Sequence, residues 1–325
     1  FALVTGLIQT ITGTSLPNVS VTIHGHPEYG TALSDSEGRF SLPVEGGGAI
    51  ILVYQKEGFI PVHRIVHAPW NDIVIAETIE MLAEDPASTT FTFDGNPETV
   101  VTHKSTEVTD GFGARSSTMV FTGDNQAYLV DEEGNDVHQL TTISVRATEY
   151  QTPESMPAVL PPNTAYTYCT ELSVDGTQRV RFEKPVTTWV DNFPGFDIGS
   201  IVPAGYYDRD SGLWVPSENG VVVKLIDSDS DGIVDALDSD GDDQPDDLNN
   251  NGSYNDEVTG LEDASRYSPG STFWRVQVDH FSPWDLNWGL SPPLGAIFPN
   301  AEGSVTSNTQ QADPCKVSIS SYIAE

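Results

Sequence analysis

The chain carries a run of acidic residues whose spacing is typical of calcium ligands. Between residues 227 and 238, oxygen ligands recur at the first, third, fifth, ninth and twelfth positions, with glycine at the sixth. Calcium takes six to eight oxygens at about 2.3–2.6 Å, and alternating carboxylates converge on it only if Gly232 permits a tight turn. The candidate ligands of this first loop are Asp227, Asp229, Asp231, the Ile233 carbonyl, Asp235 and Asp238.

The pattern recurs after eleven residues, so that neighbouring loops would share an end residue. A second loop would use Asp238, Asp240, Asp242, Asp246 and Asn249, and a third would use Asn249, Asn251, Ser253 and Glu257. The second loop has Asp243 where glycine is expected, which leaves its register open and makes Asp247 an alternative to Asp246. We predict about two to three Ca²⁺ ions within residues 227–257.

The alternative interpretation of this run is a solvated acidic loop. The chain has 48 Asp and Glu against 14 Lys and Arg, a formal net charge of -34, and no Lys or Arg lies between Lys224 and Arg266. Two like charges 4 Å apart repel by about 1 kcal/mol even in water. We therefore expect folding of this segment to depend on bound metal. Because no helical pattern flanks it, the loop is similar to thrombospondin-repeat or dockerin loops and not to a helix-loop-helix switch.

Composition excludes several classes of partner. The negative charge would repel nucleic acid and anionic lipid, and no apolar run approaches the roughly 20 residues that span a bilayer. Cys169 and Cys315 match no zinc or thioredoxin spacing, and either a disulfide or two thiols is possible. The chain begins at Phe1 without a leader, and we expect further sequence beyond both ends.

Short segments of alternating polarity, separated by turn residues, predict an all-β protein. The predicted strands are 19–23, 39–42, 49–54, 73–75, 119–121, 127–130, 143–147, 166–169 and 179–182. The first eighty residues resemble the carboxypeptidase-regulatory or transthyretin-like domain family. The motifs are Leu16-Pro17-Asn18-Val19-Ser20-Val21, residues 31–35, Gly38-Arg39-Phe40, and Tyr54 through Gly58-Phe59.

Residues 140–300 resemble the N-terminal flank of Rhs/YD-repeat proteins, in the motifs before residue 200, and the plug segment of that family and of teneurins, in the motifs after it. The motifs include Arg146-Ala147-Thr148-Glu149-Tyr150, Tyr166-Thr167-Tyr168, residues 202–208, Gly212-Leu213-Trp214-Val215-Pro216-Ser217, Phe273-Trp274-Arg275-Val276 and residues 280–288. The resemblance implies a transthyretin-like domain and a fibronectin-like plug that close one end of a hollow shell of YD repeats. The YD repeats themselves are absent from this sequence, so the shell and any toxin or other cargo are expected outside it.

These resemblances give a domain assignment. We expect a transthyretin-like β-sandwich at 1–84, a β-rich domain at 85–195, a fibronectin-like plug region with the calcium loops at 196–298, and a tail at 299–325 leading toward the shell. The expected function is a non-enzymatic structural module, secreted or at the cell surface, whose partner is the YD-repeat shell. The alternative is a calcium-dependent adhesin that binds a cell-surface protein or glycan.

Short motifs elsewhere in the chain resemble catalytic or zinc sites only superficially. Asp210-Ser211-Gly212 matches an aspartic-protease signature, but it joins two aromatic strands and is expected to be a hairpin turn. His24 and His26 have zinc-like spacing without an evident third ligand. His63 and His67 are predicted on a solvated surface.

His280 beside Asp279 could be a general base, but no nucleophile motif accompanies it, and we expect a packed or capping histidine. Six aromatic residues between positions 214 and 288 could form a carbohydrate-stacking platform, yet their period-two placement favours core or interface packing. They are Trp214, Phe273, Trp274, Phe281, Trp284 and Trp288.

Overall fold

The computed structural model describes residues 1–131, 134–161, 164–177 and 179–289, which are mostly β-strand and loop. In these residues the helical segments are three short 3-10 turns, η1 (Pro27–Tyr29), η2 (Pro153–Ser155) and η3 (Asn255–Val258). The predicted all-β fold is confirmed. Within the described part of the chain, no helix is long and apolar enough to cross a bilayer. Cys315 and the predicted tail at 299–325 lie outside the described residues.

The N-terminal residues form a sandwich of two four-stranded sheets. One sheet contains β1 (Ala2–Thr10), β4 (Arg39–Val44), β7 (Ile73–Ile75) and β8 (Ile79–Met81); the other contains β2 (Ser20–Ile23), β3 (Ala32–Leu33), β5 (Gly48–Gln55) and β6 (Val62–Ala68). Along β4, Phe40, Leu42 and Val44 are buried and alternate with exposed residues, as expected for a strand with one face on the core. Gly38, before this strand, has φ +78°, and a Cβ there would lie 2.2 Å from the Ile8 carbonyl oxygen.

Residues 89–289 form two larger sheets around a common core, plus a separate hairpin of β11 (Val108–Asp110) and β12 (Gly113–Arg115). The six-stranded sheet contains β9 (Thr89–Thr92), β16 (Thr142–Glu149), β17 (Cys169–Val174), β20 (Gly205–Asp208), β21 (Leu213–Pro216) and β25 (Pro283–Asp285). The nine-stranded sheet contains β10 (Val100–Lys104), β13 (Ser117–Thr122), β14 (Ala127–Val130), β15 (Asp136–Leu140), β18 (Val180–Asp191), β19 (Ile201–Val202), β22 (Gly220–Ile226), β23 (Ala236–Asp238) and β24 (Thr272–Phe281).

Strands from both sides of residue 195 pair with one another in each of these sheets. In the six-stranded sheet, β25 lies between β17 and β20; in the nine-stranded sheet, β24 lies between β18 and β22. Core aromatic rings also meet across this point, with the centroids of Phe182 and Phe281 4.8 Å apart. The division predicted at 195/196 therefore does not separate two structural units, because neither sheet is complete without strands from both segments.

The strand predicted at 166–169 begins only at Cys169. The amide oxygen of Asn287 accepts the backbone N–H groups of Thr167 and Tyr168, the latter at 2.9 Å. A side chain thus takes the place of main-chain acceptors for these two N–H groups, which alternation of polarity cannot reveal.

The N-terminal sandwich and the larger sheets share a buried junction. Arg64 on β6 is only 6% exposed, and it donates to the carbonyl oxygens of Glu154 at 2.6 Å, Met156 at 3.1 Å and Pro157 at 3.3 Å. Its Nε also pairs with Glu77 at 2.8 Å. An apolar cluster joins the same two regions through Ile60, Leu82, Tyr150, Met156 and Cys169. Polar and apolar contacts together fix how these regions meet.

The surface position predicted for His63 is wrong, although His67 is exposed as expected. His63 is 5% exposed in the junction, and its Nδ1 lies 3.1 Å from the Tyr207 hydroxyl. Burial, together with the nearby charge of Arg209, lowers the pKa of His63 to about 3. His63 is therefore neutral in the folded protein at neutral pH.

We predict that His63→Gln makes the stability less sensitive to mild acid. A histidine whose folded pKa is depressed stabilises the fold above its unfolded pKa of about 6.5, and that contribution is lost as the pH falls. Between pH 6.5 and 5, the wild type should lose at most about 1.4 kcal/mol of unfolding free energy per pH unit through this group. Urea unfolding at several pH values measures the difference. His67→Gln, on the same strand, should keep the wild-type pH slope, and equal slopes for both variants would contradict the assignment.

Candidate metal centre

The acidic segment folds into three successive loops with the same backbone pattern. In each loop, which we number from its first carboxylate, the fourth and sixth residues have positive φ. These pairs are Ser230 and Gly232 (66° and 91°), Gly241 and Asp243 (87° and 64°), and Asn250 and Gly252 (58° and 89°). The left-handed region is unfavourable for most side chains but is tolerated by Asn and Asp. The second loop therefore keeps its register, with Asp243 in the glycine position, and the loops begin at Asp227, Asp238 and Asp247.

The first carboxylate of each loop accepts backbone N–H groups from the turn that follows. The bonds run from Asp231 N (3.1 Å) and Gly232 N (2.8 Å) to Asp227, from Gly241 N (2.6 Å) and Asp243 N (3.1 Å) to Asp238, and from Asn251 N (3.2 Å) and Gly252 N (2.7 Å) to Asp247. Hydrogen bonds to a carboxylate favour its charged form. The Gly232 N–H accordingly holds the pKa of Asp227 below its usual range.

Two groups of three carboxylates converge in the first two loops. One group is Asp227, Asp229 and Asp231, the other is Asp238, Asp240 and Asp242, and within each group one oxygen per residue lies within 4.8 Å of the others. A donor set made only of oxygen suits a hard cation such as Ca²⁺ and does not suit zinc, which prefers nitrogen and sulfur. The residues present therefore fit calcium, although calcium binding itself stays a prediction.

Two predicted ligands point to other partners. Asp235 accepts the backbone N–H of Ser228 at 2.8 Å and its hydroxyl at 2.6 Å. Asp246 accepts the corresponding groups of Ser239, both at 2.7 Å. In both loops the carboxylate of the ninth residue thus holds the backbone and side chain of the second residue. The same pair of hydrogen bonds recurs after eleven residues. Ile233, at the seventh position of the first loop, is exposed.

The third loop begins two residues earlier than predicted. Asp247 occupies its first position, and Asn249 and Asn251 occupy the third and fifth, so the carboxylate triad is reduced to one carboxylate and two amides. Both amide groups donate to Asp256 Oδ2, at 3.0 and 2.6 Å. The sequence signal was present, because residues 247–252 repeat the Asp-x-Asp/Asn-x-Asp/Asn-Gly pattern of 227–232. The assumption of a constant period of eleven concealed it.

Apolar residues between the ligands attach the loops to one face of the nine-stranded sheet. Loop residues Val234, Leu237, Val258 and Leu261 are buried with sheet residues Trp189, Val223, Leu225 and Phe273. The strand β23 also pairs with β22, placing Asp238 opposite Lys224. The loops are therefore positioned by ordinary core packing, which the polar residues of the motif do not provide.

Lys224 supplies a positive charge to the second loop. Asp238 is 0% exposed, and the Lys224 ammonium lies 3.1 Å from its Oδ2 and also contacts Asp243. Burial opposes ionisation of Asp238, but the Gly241 N–H and Lys224 outweigh it and hold the pKa of Asp238 below its usual range. A buried carboxylate needs such compensation.

The aspartic-protease-like motif and the histidine pair near the N-terminus make local structural contacts. Asp210-Ser211-Gly212 lies in the turn of the β20–β21 hairpin, as predicted, with Gly212 at φ +69°. His24 Nε2 lies 2.9 Å from the Arg209 carbonyl oxygen, whereas His26 Nδ1 pairs with Glu28 at 2.8 Å. The two histidines therefore engage separate partners.

The histidine and aromatic residues near the end of the described chain are packed. His280 Nδ1 lies 2.7 Å from Asp279 Oδ1, and its ring packs against Tyr206 and Trp284, as predicted for a packed histidine. Core packing is confirmed for four of the six aromatic residues, while the other two are half-buried. The buried ones are Phe273, Trp274, Phe281 and Trp284; the half-buried ones are Trp214 and Trp288.

Comparison with known proteins identifies the N-terminal region. The family model of the teneurin TTR-like domain matches residues 1–81. Human Teneurin-1 is 34% identical over 85 residues, 26% of this chain and 3% of that protein. Teneurin-m of Drosophila melanogaster is 38% identical over 80 residues, 25% of this chain and 3% of that protein. The matched region thus spans about 3% of these relatives, and the predicted transthyretin-like domain is confirmed for residues 1–81.

Among solved structures, a streptococcal ancillary pilin aligns with 55% of this chain and 59% of its own, with 10% identity and a TM-score of 0.26. These values are too low for any inference about the larger sheets or the loops.

We predict that Lys224→Met destabilises the metal-free protein. Removal of one partner of a buried ion pair leaves the Asp238 carboxylate without its cation, at a cost on the order of 3 kcal/mol. Added Ca²⁺ should restore most of the loss, because it neutralises the same carboxylate. Urea unfolding in chelator and in calcium measures both effects. Lys184→Met removes an exposed pair with Asp124 and should cost under about 1 kcal/mol in either buffer. Equal losses for the two variants would contradict the role of Lys224.

Proposed function

We propose that this chain is a non-enzymatic structural module of a large extracellular teneurin-like or Rhs-like protein, and that calcium stiffens it. The observation that carries the proposal is a teneurin TTR-like domain joined through a buried junction to two large sheets that carry the three acidic loops. A module with this architecture would hold neighbouring domains in a fixed arrangement and would not catalyse a reaction.

Calcium would bind the convergent carboxylates of the first two loops, and the third loop would bind it more weakly. The first two loops each present three carboxylates, whereas the third presents Asp247 with two amides. Calcium affinity falls as fewer charged ligands contribute. Bound ions would neutralise repulsion within a segment that is attached to the sheet by its apolar residues.

The larger sheets would close one end of a YD-repeat shell outside this chain. Support comes from the resemblance of residues 140–300 to plug regions, and from the order of the domains, with the transthyretin-like domain first. The buried aromatic residues also support a scaffold over a glycan-binding platform, since Trp274 and Trp284 have no exposed face on which a sugar could stack.

The calcium role is tested by thermal melts with and without metal. We expect chelator to lower the melting temperature reversibly, and the double variant Asp227→Asn, Asp231→Asn to reduce both the calcium response and the number of ions seen by calorimetry. Glu37→Gln, which removes one exposed charge in the N-terminal sandwich, should leave both unchanged. Identical melting curves in chelator and calcium would refute the structural role of the metal.

The plug role is tested by association in trans. A YD-repeat shell of the same protein, produced separately without its plug, should co-elute with this chain in size-exclusion chromatography in the presence of calcium. A shell from an unrelated YD-repeat protein serves as the control. Failure to co-elute, with both partners folded by circular dichroism, would reject the plug role while leaving calcium binding intact.

A further inference from the structure

The third loop contains an Asn-Gly pair, Asn251-Gly252, which is one of two in the sequence; the other is Asn219-Gly220. A glycine after asparagine favours spontaneous loss of the side-chain amide, because glycine has no Cβ to hinder attack by its backbone nitrogen. We propose that Asn251 is a deamidation site whose reactivity is controlled by the carboxylate of Asp247.

The reaction needs only water as co-reactant. The backbone nitrogen of Gly252 bonds to Cγ of Asn251, the Cγ–Nδ2 bond breaks, and the amide nitrogen leaves as ammonia together with the proton from Gly252 N. Water then opens the resulting succinimide at one of its two carbonyl carbons. Attack of water at the side-chain carbonyl carbon Cγ breaks the Cγ–N bond and gives aspartate, whereas attack at the main-chain carbonyl carbon breaks that C–N bond and gives isoaspartate. No oxidant or reductant takes part.

The folded loop holds each reacting group in place. Gly252 N donates to Asp247 Oδ2 at 2.7 Å, Asn251 Nδ2 donates to Asp256 Oδ2 at 2.6 Å, and Asn251 Oδ1 accepts the N–H of Ser253 at 2.7 Å. The attack requires Gly252 N to lose its proton and approach Cγ, and a hydrogen bond to a charged carboxylate opposes both. The intact loop therefore slows deamidation, and opening of the loop accelerates it.

The other Asn-Gly pair provides an internal reference. Gly220 begins β22 and pairs with Val202, and its Cα packs so closely on β24 that an added Cβ would lie 2.4 Å from the Arg275 carbonyl oxygen. The backbone around Asn219 is thus held by the sheet, far along the sequence from the third loop. The Asn219 side chain is exposed, but the backbone nitrogen of Gly220 can move toward it only if this part of the sheet opens.

Deamidation would change the ligand set of the third loop, an inference that rests on the proposed calcium function. Aspartate at 251 would restore the carboxylate that Asp231 and Asp242 provide at the fifth position of the other loops. Isoaspartate would instead add a methylene to the backbone and disrupt the turn. The protein would thereby acquire two altered populations with different affinities for the cation.

The experiment follows both Asn-Gly pairs by peptide mapping and mass spectrometry in the full chain, incubated at mildly alkaline pH. Asp247→Ala should accelerate deamidation of Asn251 roughly tenfold or more, because a hydrogen bond to a charged group is lost, while Asn219 reacts at the wild-type rate. Asp263→Ala, which removes a carboxylate beyond the third loop, should change neither rate. Equal rates at Asn251 in wild type and Asp247→Ala would overturn the proposal.

Two further measurements distinguish general unfolding, and failure of the calcium proposal, from failure of the deamidation proposal. If Asp247→Ala accelerates deamidation of both Asn219 and Asn251, the variant is generally unfolded, and this result counts against control by Asp247. Asp247→Asn, which keeps the side-chain size, is therefore measured in parallel. It should accelerate deamidation of Asn251 alone. Calcium should slow Asn251 in the wild type, and chelator should speed it. If Asp247 controls the rate but calcium does not, deamidation control stands and the calcium proposal fails for the third loop.

Discussion

Repulsion among carboxylates is the constraint on which the described structure of residues 227–258 depends. The loops place six aspartates in two tight groups, and the segment between Lys224 and Arg266 contains no basic residue. Backbone N–H groups and the Lys224 ammonium offset part of this repulsion, and apolar contacts with β22 and β24 keep the segment on the sheet. The remaining negative charge would suit a hard, doubly charged ion such as the proposed Ca²⁺.

The junction around Arg64 also depends on hydrogen bonds between a charged side chain and backbone groups, here between the N-terminal sandwich and the larger sheets. Four backbone carbonyl oxygens converge on one guanidinium, which stays charged and so keeps donating to all of them. The neighbouring His63 avoids adding a second positive charge by remaining neutral beside Arg209. Combined with the apolar cluster, this arrangement makes the teneurin TTR-like domain continuous with the larger sheets.

Local sequence signals predicted eight of the nine proposed strands, the hairpin at 210–212 and the first loop, because each depends on neighbours in sequence. The register of the second loop could not be predicted, since it depends on whether Asp243 tolerates positive φ. The burial of His63 and the position of β24 and β25 between earlier and later strands could not be predicted either, because many of the contacts involved join residues roughly 100 positions apart. The third loop is the exception: its motif was visible at 247–252, and only an assumed repeat length hid it.

The interleaved strand order has a consequence for how the protein is made. Strand β25 joins β17 to β20 in the six-stranded sheet, and β24 joins β18 to β22 in the nine-stranded sheet, so neither sheet can be completed until residues near 285 have been synthesised. Long-range pairing of this kind slows folding and leaves unpaired edges open to aggregation. The acidic loops are synthesised just before β24. Their negative charge is therefore present in the nascent chain while the strand edges are unpaired and nascent chains would otherwise associate. The same aspartates could thus keep the unfinished chain apart from its neighbours before any cation binds.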